Sequence, residues 1–540
     1  MNSEELKKLC RVYREHPDIP ASIKEACGRV LEASDSSSIF FLARALHEFG
    51  AWKPLVAIAN ILGSAPLEMR LATHLLLSHA YCELGEGEMA ANEMKTLGAL
   101  VGGMDLEESN LITDCFSAVY RRANIHFNDG DRAQAVAVYN LALPHDKRLH
   151  HISFGHLGEE EKAVVATTQG EGTLEGITRC CREPLGVVDY PEGAQKLLSV
   201  EQSEITTLQG RRLLLVMRLH FSRGEHSRKH ELQKNFRYTA EQLGINTSFF
   251  NADPFVFFQD FDEDYRRAAF AKLEDLIQEV KPEFVVFDNL CSQDQDEVLT
   301  ADFYERELLR LKERFNFKLI ALYPDAWHPP SSRGAMLAGG FADVLWHNHL
   351  SLHLEMEETV RAKSSVIPFP FPVERFDTHK NRDIDTAFVG TSVQYNYLRS
   401  LWFLAMEDAG TDYQLFLTSP VHREGMLTLT DTQYAELLGR INTSIQFSSR
   451  NENTKILCGR VWESMLAGCA LIEEENIETK HFLVPYLHYI PFSSTKDLAE
   501  VVKCLTENPE ERSALALRGR DWVSNICSGA RIWGYMLLKA

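Results

Sequence analysis

In the stretch GRVWESMLAGCALIEEEN, residues 459–476, an arginine and a glutamate, Arg460 and Glu463, stand three positions apart among mostly apolar residues. On a helix that spacing sets both side chains beside the face made by Val461, Trp462, Met465 and Leu466, near enough to interact. Two chemistries fit. The plainer is a surface ion pair contributing well under about 1 kcal/mol; the other is a cation and a carboxylate directed at a ligand. A second kind of chemistry, proton transfer, could come from His220 in MRLHFSRGEH or from Asp325 and His328 in YPDAWHPP. All three follow apolar runs, where strands end and clefts form, although residues so placed are more often structural.

These residues need elements to carry them, and the composition bounds what those are. A chain of 540 residues is too long for one core, so about three domains of roughly 150 to 200 residues are expected. Its 45% hydrophobic and 25% charged residues are those of a folded globular protein. The net charge of −21 argues against a general affinity for nucleic acid or anionic membrane, which needs clustered cations. RGEHSRKHELQK, residues 223–234, is locally basic and reads as a solvated loop and helix face, or else as a phosphate or acceptor contact. Eleven cysteines occur singly apart from Cys180-Cys181, without the paired spacings of a zinc ribbon or redox motif. The N-terminus lacks an apolar signal core, and no run approaches the about 18 apolar residues that span a bilayer, so a cytoplasmic location is expected.

Residues 1–150 read as helical hairpins. Apolar-periodic helices turn at Gly50, Gly85 and Gly130, and the intervals of 35 and 45 residues make an irregular array resembling degenerate tetratricopeptide (TPR) repeats. Ala43, Ala80 and Ala123 suit the close helix contacts that such repeats need. Stacked hairpins offer a concave surface for a protein partner, a support for the next domain, or a surface for homo-oligomer formation. Residues 151–205 read as a connector.

From 206 the texture changes to strands alternating with helices, RRLLLVMRLHF, INTSFFNA, EFVVFDN, FKLIALYP and ADVLWHNH being the strands of one doubly wound domain up to 372. SSVIPFPFPVERFD, with Pro368, Pro370 and Pro372, interrupts it as a stiff hinge. Alternation then resumes from 373 to 540 with DTAFVG, YQLFLT, TSIQFSS, CALIEE and LHYIPF, a second such domain. The fold class is therefore α/β with an all-α N-terminal region, and two facing sheets of this kind form a cleft at their strand ends.

RVWESMLAGCALIEEEN resembles the donor-site segment of GT-B glycosyltransferases, most closely the spore-maturation-protein (CgeB-like) group, in which arginine, an apolar residue, an aromatic and glutamate open a helix that ends in a small residue and glycine. DLAEVVKCLTENPEERSALALRGRDWV is similar to that group's C-terminal helices, and DTAFVGTSVQYNYLRSLWFLA to its first C-domain strand, glycine loop and helix; the likeness covers about residues 370–525. It implies two Rossmann-like domains, an N-terminal acceptor domain and a C-terminal domain holding a nucleotide-sugar donor as co-substrate, with no other cofactor and no metal. Glu463 matches the glutamate that accepts hydrogen bonds from the nucleotide ribose, a task for a carboxylate's two oxygens. Gly390, Thr391 and Ser392 match the loop whose amides receive the diphosphate, and Arg460, ahead of Lys455, matches a cation that neutralises it as the nucleotide leaves. Lys455 departs from the pattern, since many retaining members carry a second glutamate there.

The implied activity is transfer of a sugar to an acceptor hydroxyl, with a base from Asp325, His328 or His220 if the reaction inverts. The acceptor is expected to be a protein, or delivered by one, recruited by the hairpins, so that deleting residues 1–150 would abolish transfer but leave donor binding intact. The alternative is a TPR scaffold fused to a catalytically inactive GT-B-like module. DID at Asp383–Asp385 fits the metal-holding pair of another glycosyltransferase class only by spacing, as do several other aspartates in so acidic a chain.

Overall fold

The three hairpin glycines end their helices by one geometry. Gly50, Gly85 and Gly130 have φ of 79°, 76° and 84°, a left-handed backbone that costs a residue with a β-carbon about 1 kcal/mol more than glycine. After each, the next amide, of Ala51, Glu86 or Asp131, donates to the carbonyl five residues back, of Leu46, Tyr81 or His126. This closure satisfies carbonyls that a helix end otherwise leaves bare. The computed structural model describes residues 3–101, 110–143, 146–149, 152, 190–220, 232–256, 263–289, 298–327, 329–376, 381–392, 397–419, 426–451 and 454–540. The turns join Ser36–Phe49 to Trp52–Ala59, Leu67–Glu83 to Gly87–Val101 and Asn110–Asn128 to Arg132–Ala142, after an earlier pair, Ser3–Glu15 and Ala21–Glu32. Ala43, Ala80 and Ala123 are fully buried.

The compact unit built from these helices is not confined to the N-terminal part of the sequence. It also takes in Ser392–Gly410, whose helix Tyr397–Asp408 is buried at every residue from Tyr397 to Met406. Its partners within the unit include the last hairpin. The Tyr139 hydroxyl donates to the Tyr397 carbonyl at 3.0 Å, Tyr120 stacks on both Tyr139 and Tyr397 with ring centroids 5.9 Å away, and Phe127 stacks on Phe403. The Asn124 amide oxygen accepts from the Ser392 hydroxyl at 3.2 Å and from that of Ser400, and Arg132 pairs with Glu407. A truncation at 150 would strip this helix of its contacts with Tyr120, Phe127 and Tyr139.

A buried chain of imidazoles runs through the same unit. His47 Nε2 lies 2.8 Å from His79 Nδ1, His79 Nε2 lies 3.1 Å from Glu83 Oε1, and His126 Nε2 reaches the same oxygen at 2.7 Å. The carboxylate can only accept, so His79 carries its proton on Nε2, its Nδ1 accepts, and His47 donates from Nε2. That leaves His47 Nδ1 a buried lone pair without a partner. Burial, then neighbouring His79 and Arg122, hold His47 well below the ordinary imidazole value, and burial lowers His79 against the pull of Glu83. For Glu83, burial acts upward, but hydrogen bonds from the two histidines bring the carboxyl down to about 2.

Ser449–Asn451 also belong to the helical unit, and the rest of the described chain forms a second unit with two parallel sheets. The first, in order β2-β1-β3-β4-β5-β6, comprises β1 (Arg212–Met217), β2 (Asn246–Asn251), β3 (Phe284–Asp288), β4 (Lys318–Tyr323), β5 (Val344–His347) and β6 (Ser364–Val366). The second, in order β13-β12-β9-β7-β8, comprises β7 (Ile384–Gly390), β8 (Gln414–Leu417), β9 (Ile441–Gln446), β12 (Ala470–Glu474) and β13 (Ile490–Phe492); the short strands β10 (Ser449–Asn451) and β11 (Thr454–Lys455) lie outside both. β3, β5 and β12 are buried at every residue, as strands covered on both faces must be, hence their unbroken apolar runs. Each sheet grows from its first strand in both directions, so its switch point lies between β1 and β3 in one and between β7 and β9 in the other. Open α/β sheets leave a crevice at such points, beyond the carboxyl ends of the strands.

One core serves both sheets. Pro368, Pro370 and Pro372 interleave Phe369 and Phe371, which are buried in it rather than exposed on a solvated linker. The last helix, Gly529–Lys539, packs on the first-sheet side, against Glu192–Leu198, Gln202–Thr206 and Leu232–Glu241. Its Trp533 is fully buried beside Phe236 and Trp346, and the indole N–H donates to Thr239 Oγ1 at 3.0 Å. Among the described residues no helix is long and apolar enough to cross a membrane. Much of the expected connector, and residues 223–231 of the basic stretch, lie outside the described residues.

Two outcomes are expected. A chain beginning at residue 151 should aggregate or unfold at a clearly lower temperature than the full chain in a solubility and thermal-melt comparison; equal solubility and melting would contradict the packing described. Because folded His47 and His79 refuse protons that the unfolded chain accepts near pH 6.5, their contribution is complete above that pH and is lost as pH falls, by about 1.4 kcal/mol per refused proton per pH unit. The melting temperature should accordingly drop between pH 7.5 and 5.5, and less steeply in His47→Gln, which keeps a donor but does not titrate.

Candidate functional site

The helix Gly459–Leu466 buries Val461, Trp462, Met465 and Leu466, as its periodicity predicts, and buries Ser464 as well. Ser464 anchors a short polar chain at the end of β9. Its hydroxyl lies 2.9 Å from that of Ser444, and the Gln446 amide nitrogen donates to Ser444 Oγ at 3.0 Å. With its nitrogen so engaged, Gln446 turns its oxygen outward, where it accepts from Arg460 Nε at 3.4 Å. The Arg460 guanidinium lies over the Phe388 ring, 5.8 Å from its centroid, and against Gly390, the last residue of β7. A β-carbon at Gly390 would come within 2.9 Å of Arg460 Cζ and of the Phe388 ring. Gly390 is thus a glycine because the guanidinium occupies the space beside it, not because of an unusual φ.

Glu463 does not pair with Arg460. Its Oε2 accepts from the Tyr434 hydroxyl at 2.8 Å, and among the described residues no carboxylate forms an ion pair with Arg460. The surface ion pair that the three-residue spacing allowed is therefore not formed. Burial pushes the Glu463 carboxyl above its ordinary value, opposed by Tyr434, Arg460 and Arg375. A cation and a carboxylate on one helix, each held by neutral partners, stand at the β7–β9 switch point.

The other sequence candidates separate. Lys455 Nζ is 3.1 Å from Glu474 Oε1 and donates to the Glu475 carbonyl at 2.8 Å; its charge is balanced, unlike that of Arg460. Thr391 directly follows β7. Ser392 is fully buried in the helical unit, its hydroxyl spent on Asn124 and Ser400, so it has none to offer a ligand. Asp383 is held by Arg440 at 2.8 and 2.6 Å and Asp385 faces Arg512; both stand at the start of β7, the opposite end from Gly390. Among the described residues no group of three histidines, cysteines or carboxylates has metal-binding geometry.

The first sheet carries a second polar group at its own switch point. Arg218, just after β1, pairs with buried Asp288 at the end of β3, Nε to Oδ2 at 2.8 Å. Burial would lower the arginine, but Asp288, with Asp325 and Asp253 nearby, outweighs it and keeps the guanidinium firmly charged. His220 and Asp325 thus lie on one sheet edge, around Arg218; His328 lies outside the described residues. The residue that the sequence did not single out is Asp253, 33 positions beyond His220. Its Oδ2 is 2.7 Å from His220 Nδ1 and its Oδ1 accepts the amides of Leu219 and His220 at 2.8 and 3.3 Å. The carboxylate holds the proton on Nδ1, so Nε2 presents a lone pair from a half-exposed ring. The only hint in the sequence was an aspartate directly after a strand. The two edges meet where Asn348, following β5, donates to the Leu457 carbonyl at 3.0 Å, next to the start of the Arg460 helix.

Residues 401–531 match the family described as "Glycosyl transferase-like". Over those residues the chain is similar to glycosyl transferases. Solved structures similar to the chain include HepE (Alr3699) of Anabaena in complex with UDP-glucose, at 11% identity and a TM-score of 0.42, over 61% of this chain and 99% of that one. Sucrose-phosphate synthase (tll1590) of Thermosynechococcus elongatus is similar at 11% identity and a TM-score of 0.42, over 61% and 97%. A glycosyltransferase of Rickettsia africae ESF-5 is similar at 9% identity and a TM-score of 0.39, over 61% and 98%. No curated protein matches the sequence.

The contact at Gly390 can be tested alone. Gly390→Ala should displace the Arg460 guanidinium, the flexible end of a long side chain, at little cost in stability. If that guanidinium meets an anion, nucleotide diphosphate affinity in calorimetry should fall about tenfold, the scale of one charge-assisted hydrogen bond; unchanged affinity would remove Arg460 from the site.

Proposed function

We propose that this chain transfers a sugar from a nucleotide-sugar donor to an acceptor hydroxyl, the donor lying at the β7–β9 switch point and the acceptor at the β1–β3 edge. The observation that carries the reading is Arg460, a guanidinium of the glycosyltransferase-like segment 401–531 that among the described residues has no carboxylate partner and lies against Gly390, the terminal glycine of β7. There it would face the diphosphate, helped by the amides of Gly390 and Thr391. Glu463 would accept the ribose hydroxyls. Lys455, already paired, would contribute less.

In the reaction the acceptor oxygen forms a bond to the anomeric carbon as the bond from that carbon to the phosphate oxygen breaks, and the nucleoside diphosphate leaves with the electron pair. Arg460 would stabilise the charge that develops on it. His220 Nε2 would take the acceptor's proton, with Asp253 stabilising the imidazolium; such a base implies inversion at the anomeric carbon. Asp325, exposed on the same edge and without the backing that His220 has, is the second candidate. The reading needs no cofactor and no metal, since a fixed guanidinium takes the role of a cation on the diphosphate. The helical unit, TPR-like in its hairpins, would recruit a protein acceptor or partner. Reduced thiols, as in the eight described cysteines, suit a cytoplasmic enzyme.

A calorimetric screen of UDP, GDP, dTDP and CMP, and of their sugars, against wild type, Arg460→Ala and Glu463→Ala tests this. One nucleotide should bind wild type and bind each variant at least about tenfold more weakly, the loss of one charged hydrogen-bond partner. No binding by the wild type would exclude the donor reading and leave an inactive scaffold.

A further inference from the structure

We propose that Tyr434 is the positioning residue of the nucleotide site: by donating its hydroxyl to Oε2 of Glu463 it fixes the plane of that carboxylate and leaves Oε1 for the ribose hydroxyls. The proposal rests on the donor reading above and assigns a role to a residue 29 positions away that no sequence pattern connects to Glu463.

A glutamate's terminal torsion is broad and nearly two-fold, so an unrestrained carboxylate rotates among many orientations. A diol with two donors at fixed separation is recognised well only if one orientation is prepared in advance. The Tyr434 hydroxyl, 2.8 Å from Oε2, prepares it. Tyr434 is itself held in place. It belongs to the helix Asp431–Gly439, whose start is fixed by reciprocal hydrogen bonds between Thr430 and Gln433, and its ring packs against the core shared by the two sheets. Burial, then the charge of Glu463, keeps the phenol protonated far beyond its ordinary range, so it remains a donor at every pH at which the protein is folded.

The groups facing Glu463 are few. Arg460 comes from its own helix, Tyr434 and Asp431 from Asp431–Gly439, and Arg375 from the turn Val373–Phe376. Lys234 reaches Asp431 at 3.8 Å from the helix Leu232–Glu241. Burial and Asp431 favour the neutral acid, whereas Tyr434, Arg460 and Arg375 favour the carboxylate. Without the hydroxyl, one of the three supports of the ionised form is lost. The folded protein then takes up the Glu463 proton at a higher pH, and binding that needs the carboxylate fails earlier on acidification.

The test is calorimetric titration of UDP, GDP and dTDP, each separately, between pH 5 and 8.5 into wild type, Tyr434→Phe and Glu463→Gln. Phenylalanine keeps the ring in the core, so the variant removes the hydroxyl alone, which an unchanged melting temperature verifies. For the nucleotide that binds, the acid limb of the affinity profile should move up by about one pH unit in Tyr434→Phe, as expected for one hydrogen bond to a charged group, and disappear in Glu463→Gln. A purely packing role for Tyr434 would lower affinity without moving the limb. If Tyr434→Phe keeps the wild-type limb while Glu463→Gln abolishes it, the proposal is overturned and the donor reading survives. If none of the three nucleotides binds the wild type, both fall.

Discussion

The second sheet is organised around one close approach, a guanidinium resting where a β-carbon would otherwise stand. Arg460 can lie flat across the end of β7 only because residue 390 has no side chain and because Phe388 offers an aromatic face beneath it. Gln446 then holds the guanidinium edge, and can do so only because Ser444 and Ser464 occupy its amide nitrogen. Each of these residues is committed by the next, from the strand ends to the helix. Among the described residues no carboxylate forms an ion pair with the cation so oriented, in a chain with a net charge of −21, and the groups that touch it, Phe388, Gln446 and Gly390, are neutral.

Glu463 answers the same constraint from the other side. Its three-residue spacing from Arg460 would ordinarily bring the two charges together, and a paired Arg460 could not meet an anionic ligand without first breaking that pair. Tyr434 satisfies the carboxylate instead. At the first sheet the opposite solution appears, because Arg218 is locked to Asp288 and the group left available is an imidazole, His220, oriented by Asp253. One edge thus presents charge and the other a proton acceptor, two complementary chemistries on sheets of the same construction.

How much of this could be read in advance follows the range of the interactions. The strands and hairpins were legible because apolar runs, 3.6-residue periodicity and turn glycines are local signals. So was the buried face of the Arg460 helix. The partners were not. Asp253 meets His220, and Tyr434 meets Glu463, only after parallel strands have brought distant segments side by side, and no local pattern encodes that pairing. The partner of the Ser392 hydroxyl was illegible for a related reason: the segment after β7 reads like a ligand loop, and Asn124, which accepts from that hydroxyl, lies far earlier in the chain. The same distance hid the partners of the helix Tyr397–Asp408, which packs with helical hairpins made far earlier in the chain.

The helix Gly529–Lys539 completes a core begun far earlier in the chain. Trp533 fills a space between Phe236 and Trp346, so the core of the first sheet stays open while nearly 200 further residues emerge from the ribosome. At about 5–20 residues per second that is an interval of roughly 10–40 s during which a large aromatic surface is uncovered. The helical unit waits too, since its buried helix Tyr397–Asp408 is made long after the hairpins that receive it. Each unit therefore closes only when a segment encoded far downstream of its first elements has been made.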